Sequence, residues 1–239
     1  MTEPLTFLDS YRDSLARTPA CDFNFMMFDP VNSYDRSFAP VLSQVGARSI
    51  VDLIRTFDGG TYLPHVVDLM SYGALLREVS STVLPISGVA LALSDPRTDF
   101  QRALDKTIGI ELLTGNILNR DAWNVLSERS QRHGRSGFDV VICRPEGPKV
   151  LYGNLSVAGI LLKRALAITQ PQGIAIAQLP WIPVDGALIV REYLSRIPGV
   201  YVDFKEGVEA GRNAILIDKT KAPPIEEWDL MQETGGSEE

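Results

Sequence analysis

Phe138-Asp139-Val140-Val141-Ile142-Cys143-Arg144-Pro145-Glu146-Gly147-Pro148 is an apolar run that stops abruptly in a polar turn stiffened by proline. A parallel strand covered by helices on both faces reads as such a run of β-branched residues. In open α/β sheets the ligand sits outside the carboxyl ends of the strands, which places Cys143 to Gly147 at a site mouth. Four other segments share the pattern: Val66–Ser71, Gly88–Asp95, Ile110–Asn116 and Gly173–Leu179.

Helical periodicity fills the gaps between these segments. Strand His65–Met70 leads to helix Ala74–Val83, whose buried stripe is Leu75, Leu76 and Val79. Strand Val89–Leu93 precedes a helix around Phe100–Lys106, and strand Ile110–Leu113 a helix around Ala122–Arg129. After strand Asp139–Ile142, helix Leu155–Thr169 carries Ala158, Leu161, Leu162, Ala165 and Leu166 on one face, with Asn154 as its N-cap. Pro171-Gln172-Gly173 is expected to turn the chain into strand Ile174–Leu179. Helix Ala187–Arg196 is followed by a hairpin of Tyr201–Lys205 and Ala214–Asp218. Alternating strands and helices that end in a hairpin imply an α/β fold with a mostly parallel sheet and one antiparallel strand.

Three stretches follow from this pattern: an N-terminal helical and loop extension over 1–60, the α/β domain over 61–220, and an acidic tail over 221–239. In the extension, Thr6 and Asp9 can cap a short helix with Phe7, Leu8, Tyr11 and Leu15 inward. Cys21 to Pro40, rich in aromatics, Asn, Asp and Pro, reads as a packed loop. Its Phe23, Phe25, Phe28 and Tyr34 could either close on a ligand or cover the core. Ser49 and Asp52 form a capping box ahead of Ile50, Leu53, Ile54 and Phe57, and Asp58-Gly59-Gly60 is expected to end that helix. In the tail, Ile225, Trp228 and Leu230 either fold back on the domain or dock on a protein partner, as the N-terminal segment also can.

The chain has 239 residues, a net charge of −7 and 45% hydrophobic residues, ordinary for a globular protein. That charge disfavours unaided nucleic-acid binding, which needs clustered Lys and Arg. No run is long enough to span a bilayer, so no membrane is implied. Two cysteines, Cys21 and Cys143, suggest no disulfide framework, and a cytoplasmic, reducing compartment fits best. His65 and His133 lack ligand spacing, so no metal site is expected. Both fall at the amino ends of strands, as does the basic group Arg129, Arg132, His133 and Arg135.

Taken in order, the segments from Val66 to Lys219 resemble the class I S-adenosylmethionine-dependent methyltransferases. The resemblance implies a Rossmann-like, doubly wound, seven-stranded sheet whose last strand is antiparallel. It also implies S-adenosylmethionine as cofactor. The family's first strand ends in an acid and a glycine-rich turn; here the corresponding piece is Asp68-Leu69-Met70-Ser71-Tyr72-Gly73-Ala74. Met70 and Tyr72 stand where small residues are typical, in space that the methionine moiety normally takes. Asp95, in Ser94-Asp95-Pro96, corresponds to the acid that accepts from the ribose hydroxyls, or else it caps the following helix. Gly115-Asn116-Ile117 resembles the family's Gly-Asp-Ile, with Asn116 facing adenine or serving as a turn residue. Asp68, Ser71, Gly73, Asp95 and Asn116 are thus the implied cofactor contacts. Arg144 and Glu146 stand where the family places its catalytic or substrate-facing group. Arg144 donates only, so it suits a carboxylate or phosphate clamp or a salt bridge rather than a base, and Glu146 is the nearest possible base. The resemblance therefore implies a methyltransferase of undetermined acceptor, or a catalytically inactive accessory or scaffold protein that keeps the fold.

Overall fold

A computed structural model describes residues 30–117, 119–131, 134–144, 155–178, 191–204 and 213–225. Its frame is a seven-stranded sheet in the order β3-β2-β1-β4-β5-β7-β6. The strands are β1 (His65–Leu69), β2 (Ser87–Ala92), β3 (Ile110–Thr114), β4 (Phe138–Cys143), β5 (Thr169–Gln178), β6 (Val200–Asp203) and β7 (Ala214–Asp218). β7 runs antiparallel to both of its neighbours and the pairs among β1 to β5 are parallel. The helices are α1 (Pro30–Gln44), α2 (Ile50–Arg55), α3 (Ala74–Thr82), α4 (Asp99–Thr107), α5 (Arg120–Ser130) and α6 (Leu155–Ile168). This is the doubly wound α/β architecture expected from the alternation, with the antiparallel strand in place.

Side chains alternate across a strand, so each strand feeds two cores. Val67, Leu69, Val141 and Cys143 pack with Trp123 and Leu126 of α5 and with Leu162, Ala165 and Leu166 of α6. Val66, Val140 and Ile142 pack with α1, α2 and α3 on the other side. On α3 the buried residues are Leu75, Leu76 and Val79, the stripe read from the sequence. Partly buried Ile225 lies against the first core, so the start of the tail folds back; Trp228 and Leu230 lie outside the described residues. No described helix is long and apolar enough to cross a membrane.

Three local readings are corrected. The stretch up to Pro40 is not a loop from Pro30 onward, because Pro30–Gln44 is a 15-residue helix with Pro40 inside it. Tyr34, Phe38, Val41 and Leu42 recur at helical spacing and are fully buried, and that apolar stripe outweighs the helix-breaking composition. Pro30 takes the first helical position, where a missing N–H is tolerated, and Val31 N donates to Glu78 of α3 at 3.1 Å. Secondly, α2 stops at Arg55 and is capped by Thr56, whose hydroxyl donates to the Leu53 carbonyl at 2.7 Å. Asp58-Gly59-Gly60 therefore lies beyond the helix end, while the Ser49 cap is present, accepting from Asp52 N at 3.0 Å. Thirdly, Pro171-Gln172-Gly173 does not precede β5 but lies inside it, where the pairing with β4 shifts register. Gly173 is required there, since a Cβ would fall 2.8 Å from the Asp139 carbonyl oxygen.

The predicted N-terminal helix cap, Asn154, Ala187–Val190 and the three Phe residues before Pro30 lie outside the described residues.

Candidate functional site

Register fixes the level at which the strands end. Leu69 of β1 pairs with Leu91 of β2 and with Cys143 of β4, and Leu91 pairs with Leu113 of β3. The residues that follow, Met70, Ala92, Thr114 and Arg144, therefore share one rim at the carboxyl edge. Strand order reverses at β1/β4, which is where a sheet of this kind opens a crevice.

At that point lies Asp68, fully buried two residues below the rim. The Tyr34 hydroxyl, brought in by α1, donates to its carboxylate, 2.9 Å from Oδ2 and 3.1 Å from Oδ1. The Arg144 guanidinium stacks on the same ring, with Cζ 4.7 Å from the centroid. Its Nη1 is buried and has no hydrogen-bond partner among the described residues. Asp68 and Arg144 are thus brought together through Tyr34, which is a fixed helical residue and not part of a closing loop. Glu146 lies outside the described residues. Cys143 next to this group is inert, because burial, and then the charge of Asp68, push its thiol up to about 12.

The turn after β1 keeps a glycine-like backbone with a different side chain. Met70 has φ of 61°, and Gly73 has φ of 78° with Ala90 Cβ only 3.2 Å from where its own Cβ would stand. A left-handed methionine is strained, by about 1–3 kcal/mol. Its side chain is buried in the core with Leu69 and Leu91. Ser71 closes the turn, its N–H donating to the Leu91 carbonyl and its hydroxyl accepting from Gly73 N, both at 3.0 Å.

At the end of β2, Asp95 belongs to an ion-pair cluster. Oδ1 accepts from Arg97 N at 3.0 Å and Nε at 2.8 Å, and Oδ2 from Arg97 Nη2 at 2.9 Å and Arg102 Nε at 3.1 Å. A carboxylate has about four lone-pair directions, and these bonds take them. The hydrogen bond from Arg97 leads in holding Asp95 well below the usual carboxylate range. Arg97 also reaches Asp105 at 2.7 Å, and Arg77 reaches it at 3.1 Å. Asp95 does not cap α4; Thr98 does, in a reciprocal box with Gln101. At the end of β3 Asn116 is largely buried, and its backbone carbonyl accepts from Asn119 N at 2.8 Å.

The amino edge is tied together by hydrogen bonds and ion pairs. Asp139 accepts from His65 N at 2.6 Å and from Arg135 and Gln170, while the His65 ring stacks on Phe138 at 4.4 Å. Arg129 pairs with Glu111 at 2.9 Å. Arg132 and His133 lie outside the described residues.

Arg97, Arg102 and Asp105 were not legible as site residues. The one available signal was Arg97 two places after Asp95, a spacing that permits a bidentate pair across the Asp-Pro turn.

No protein-family model matches the sequence, and no curated protein matches it. Solved structures do match. An O-methyltransferase family protein from Burkholderia thailandensis is 17% identical over 74% of this chain and 55% of its own, with a TM-score of 0.42. The 1,6-didemethyltoxoflavin-N1-methyltransferase of the same organism, with bound 1,6-didemethyltoxoflavin and S-adenosylhomocysteine, is 13% identical over 89% and 84%, with a TM-score of 0.40. MycE methyltransferase from the mycinamycin biosynthetic pathway, in complex with Mg and SAH, is 15% identical over 92% and 56%, with a TM-score of 0.44. The chain thus spans little more than half the length of the first and third of these. At such identities the fold rests on the strand order itself: 3-2-1-4-5-7-6 with β7 antiparallel is the Rossmann-like fold of the class I S-adenosylmethionine-dependent methyltransferases.

Proposed function

We propose that the chain is an S-adenosylmethionine-dependent methyltransferase, with the cofactor over the ends of β1 and β2 and the acceptor over β4. The observation that carries this reading is the Nη1 of Arg144 at the β1/β4 reversal, buried and without a hydrogen-bond partner among the described residues. A buried charged donor without an acceptor costs about 1–3 kcal/mol or more, and an anionic ligand group removes that cost. Arg144 then anchors a carboxylate or phosphate of the acceptor, and Tyr34 holds the guanidinium plane in place from below.

The residues fit the cofactor at the first turn. Met70 keeps the left-handed backbone and turns its side chain into the core, leaving the 70–73 backbone for close approach. Ser71 and Gly73 shape that turn, Asp68 fixes its base, and Asn116 stands at the adenine position. At Asp95 a ribose must displace Arg97 or Arg102 to reach an acceptor. The bound cofactor supplies an activated methyl group, so this chain's residues need only position the nucleophile in line with it.

A second reading, an inactive methyltransferase-fold accessory protein, is favoured by that occupied Asp95. Titration calorimetry with S-adenosylhomocysteine separates the two. A saturable heat in the wild type, weakened by Asp95→Asn, supports the methyltransferase; no heat at millimolar ligand supports the accessory protein.

A further inference from the structure

α4 is folded inside out. Of its nine residues only Asp105 is buried, drawn inward by Arg77 and Arg97. Phe100 is 77% exposed and Leu104 44% exposed, with Ala103 and Thr107 exposed beside them. At 100° per residue these four form one stripe, so the apolar face looks outward while Asp105 is turned inward. The helix lies against β3, the end strand of the sheet, where another molecule has access.

We infer that this stripe is a self-association surface, on which a second copy of the chain docks its own α4 antiparallel about a two-fold axis. The charges beside the stripe select that occupant. Asp99 and Lys106 are both exposed and lie on the same flank, almost two turns apart, and Asp99 also pairs with Arg102 of its own helix at 2.6 Å. A two-fold perpendicular to the helices keeps a flank on its own side and reverses the helix direction. Asp99 of each copy then meets Lys106 of the other, and the helix dipoles oppose favourably. Ala103 near the middle lets the backbones approach, so that Phe100 packs against the Leu104 turn of the second copy. The stripe is shorter than a standard interface, so the dimer is a dissociating one.

This inference is independent of any cofactor. Sedimentation velocity over a roughly hundredfold concentration range tests it on the full chain. The mass is expected to rise from one chain to two, and Phe100→Glu and Leu104→Glu, both at exposed positions, to weaken association at least about tenfold. Asp99→Lys and Lys106→Asp are each expected to weaken it alone, and an equimolar mixture of the two variants to restore it. A single-chain mass throughout overturns the proposal, as does a dimer that Phe100→Glu leaves intact. Failure of the mixture to recover overturns the antiparallel pairing.

Discussion

Asp68 and Asp95 sit at the ends of adjacent strands, yet one is held by burial and the other by charge. Asp68 is sealed beneath the rim, accepting from the neutral hydroxyl of Tyr34, while the nearby Arg144 keeps a donor unsatisfied. Asp95 lies nearer solvent and is saturated by two guanidinium groups. Among the described residues the reversal point therefore keeps a charged donor unmatched, whereas at the β2 end the Asp95 carboxylate is matched and only Asp105 Oδ1 lacks a partner. A ligand gains at the first place and must compete at the second.

The largest effect is expected at Tyr34, on which the first region depends. Tyr34→Ala removes a buried ring, the hydroxyl on Asp68 and the surface under Arg144, and should lower unfolding free energy by about 4 kcal/mol. Tyr34→Phe keeps the ring and should lose about 1–2 kcal/mol. Urea denaturation of the pair measures the difference; equal losses would mean that Tyr34 acts by packing alone. In the second region Arg97→Met should lower stability by about 3 kcal/mol, since it leaves Asp105 facing only Arg77. The same change uncovers Asp95, so affinity for S-adenosylhomocysteine should rise while stability falls. Affinity falling with stability would show that the cluster builds the ligand site instead of blocking it.

Acidity separates the carboxyl end of β2 from the amino edge of the sheet. Asp95 is held below its ordinary value of 3.8, so its contribution is full above that pH and is lost as pH falls toward the folded value. His65 is lowered from 6.5 by burial, so its contribution is full above 6.5 and fades as pH falls below it. Stability measured against pH should therefore decline in two windows. His65→Gln should flatten the upper one and Asp95→Asn the lower; one window surviving both changes would assign the titration elsewhere.

Much of this was readable from residue patterns. β4 announced itself because both of its faces are covered, and Leu75, Leu76 and Val79 fixed α3 by spacing alone. α1 was missed because Pro30, Asn32 and Pro40 weigh against a helix locally, while the gain that overrides them comes from burying Tyr34 and Phe38 against distant strands. The pairing of Tyr34 with Asp68 spans 34 positions, and no local pattern encodes it. Met70 shows the opposite limit. Its position gave the backbone conformation, but the direction of its side chain depends on the core below.

The smallest stability change is expected at Arg144, and there the comparison is sharpest. Arg144→Met gives up a stacking interaction with Tyr34, about 0.5–2 kcal/mol, and at the same time removes a buried donor that no described residue satisfies. These oppose each other, so the unfolding free energy should move by less than about 1 kcal/mol. Binding should respond differently. If an anion completes this end of the crevice, phosphate or a carboxylate ligand should raise the melting temperature of the wild type and leave Arg144→Met unmoved. Asp95→Asn should keep that response, because its charge is already met by Arg97 and Arg102. A variant at Arg144 that loses several kcal/mol without ligand would instead make the guanidinium a structural group, and the reversal point no more open than the end of β2.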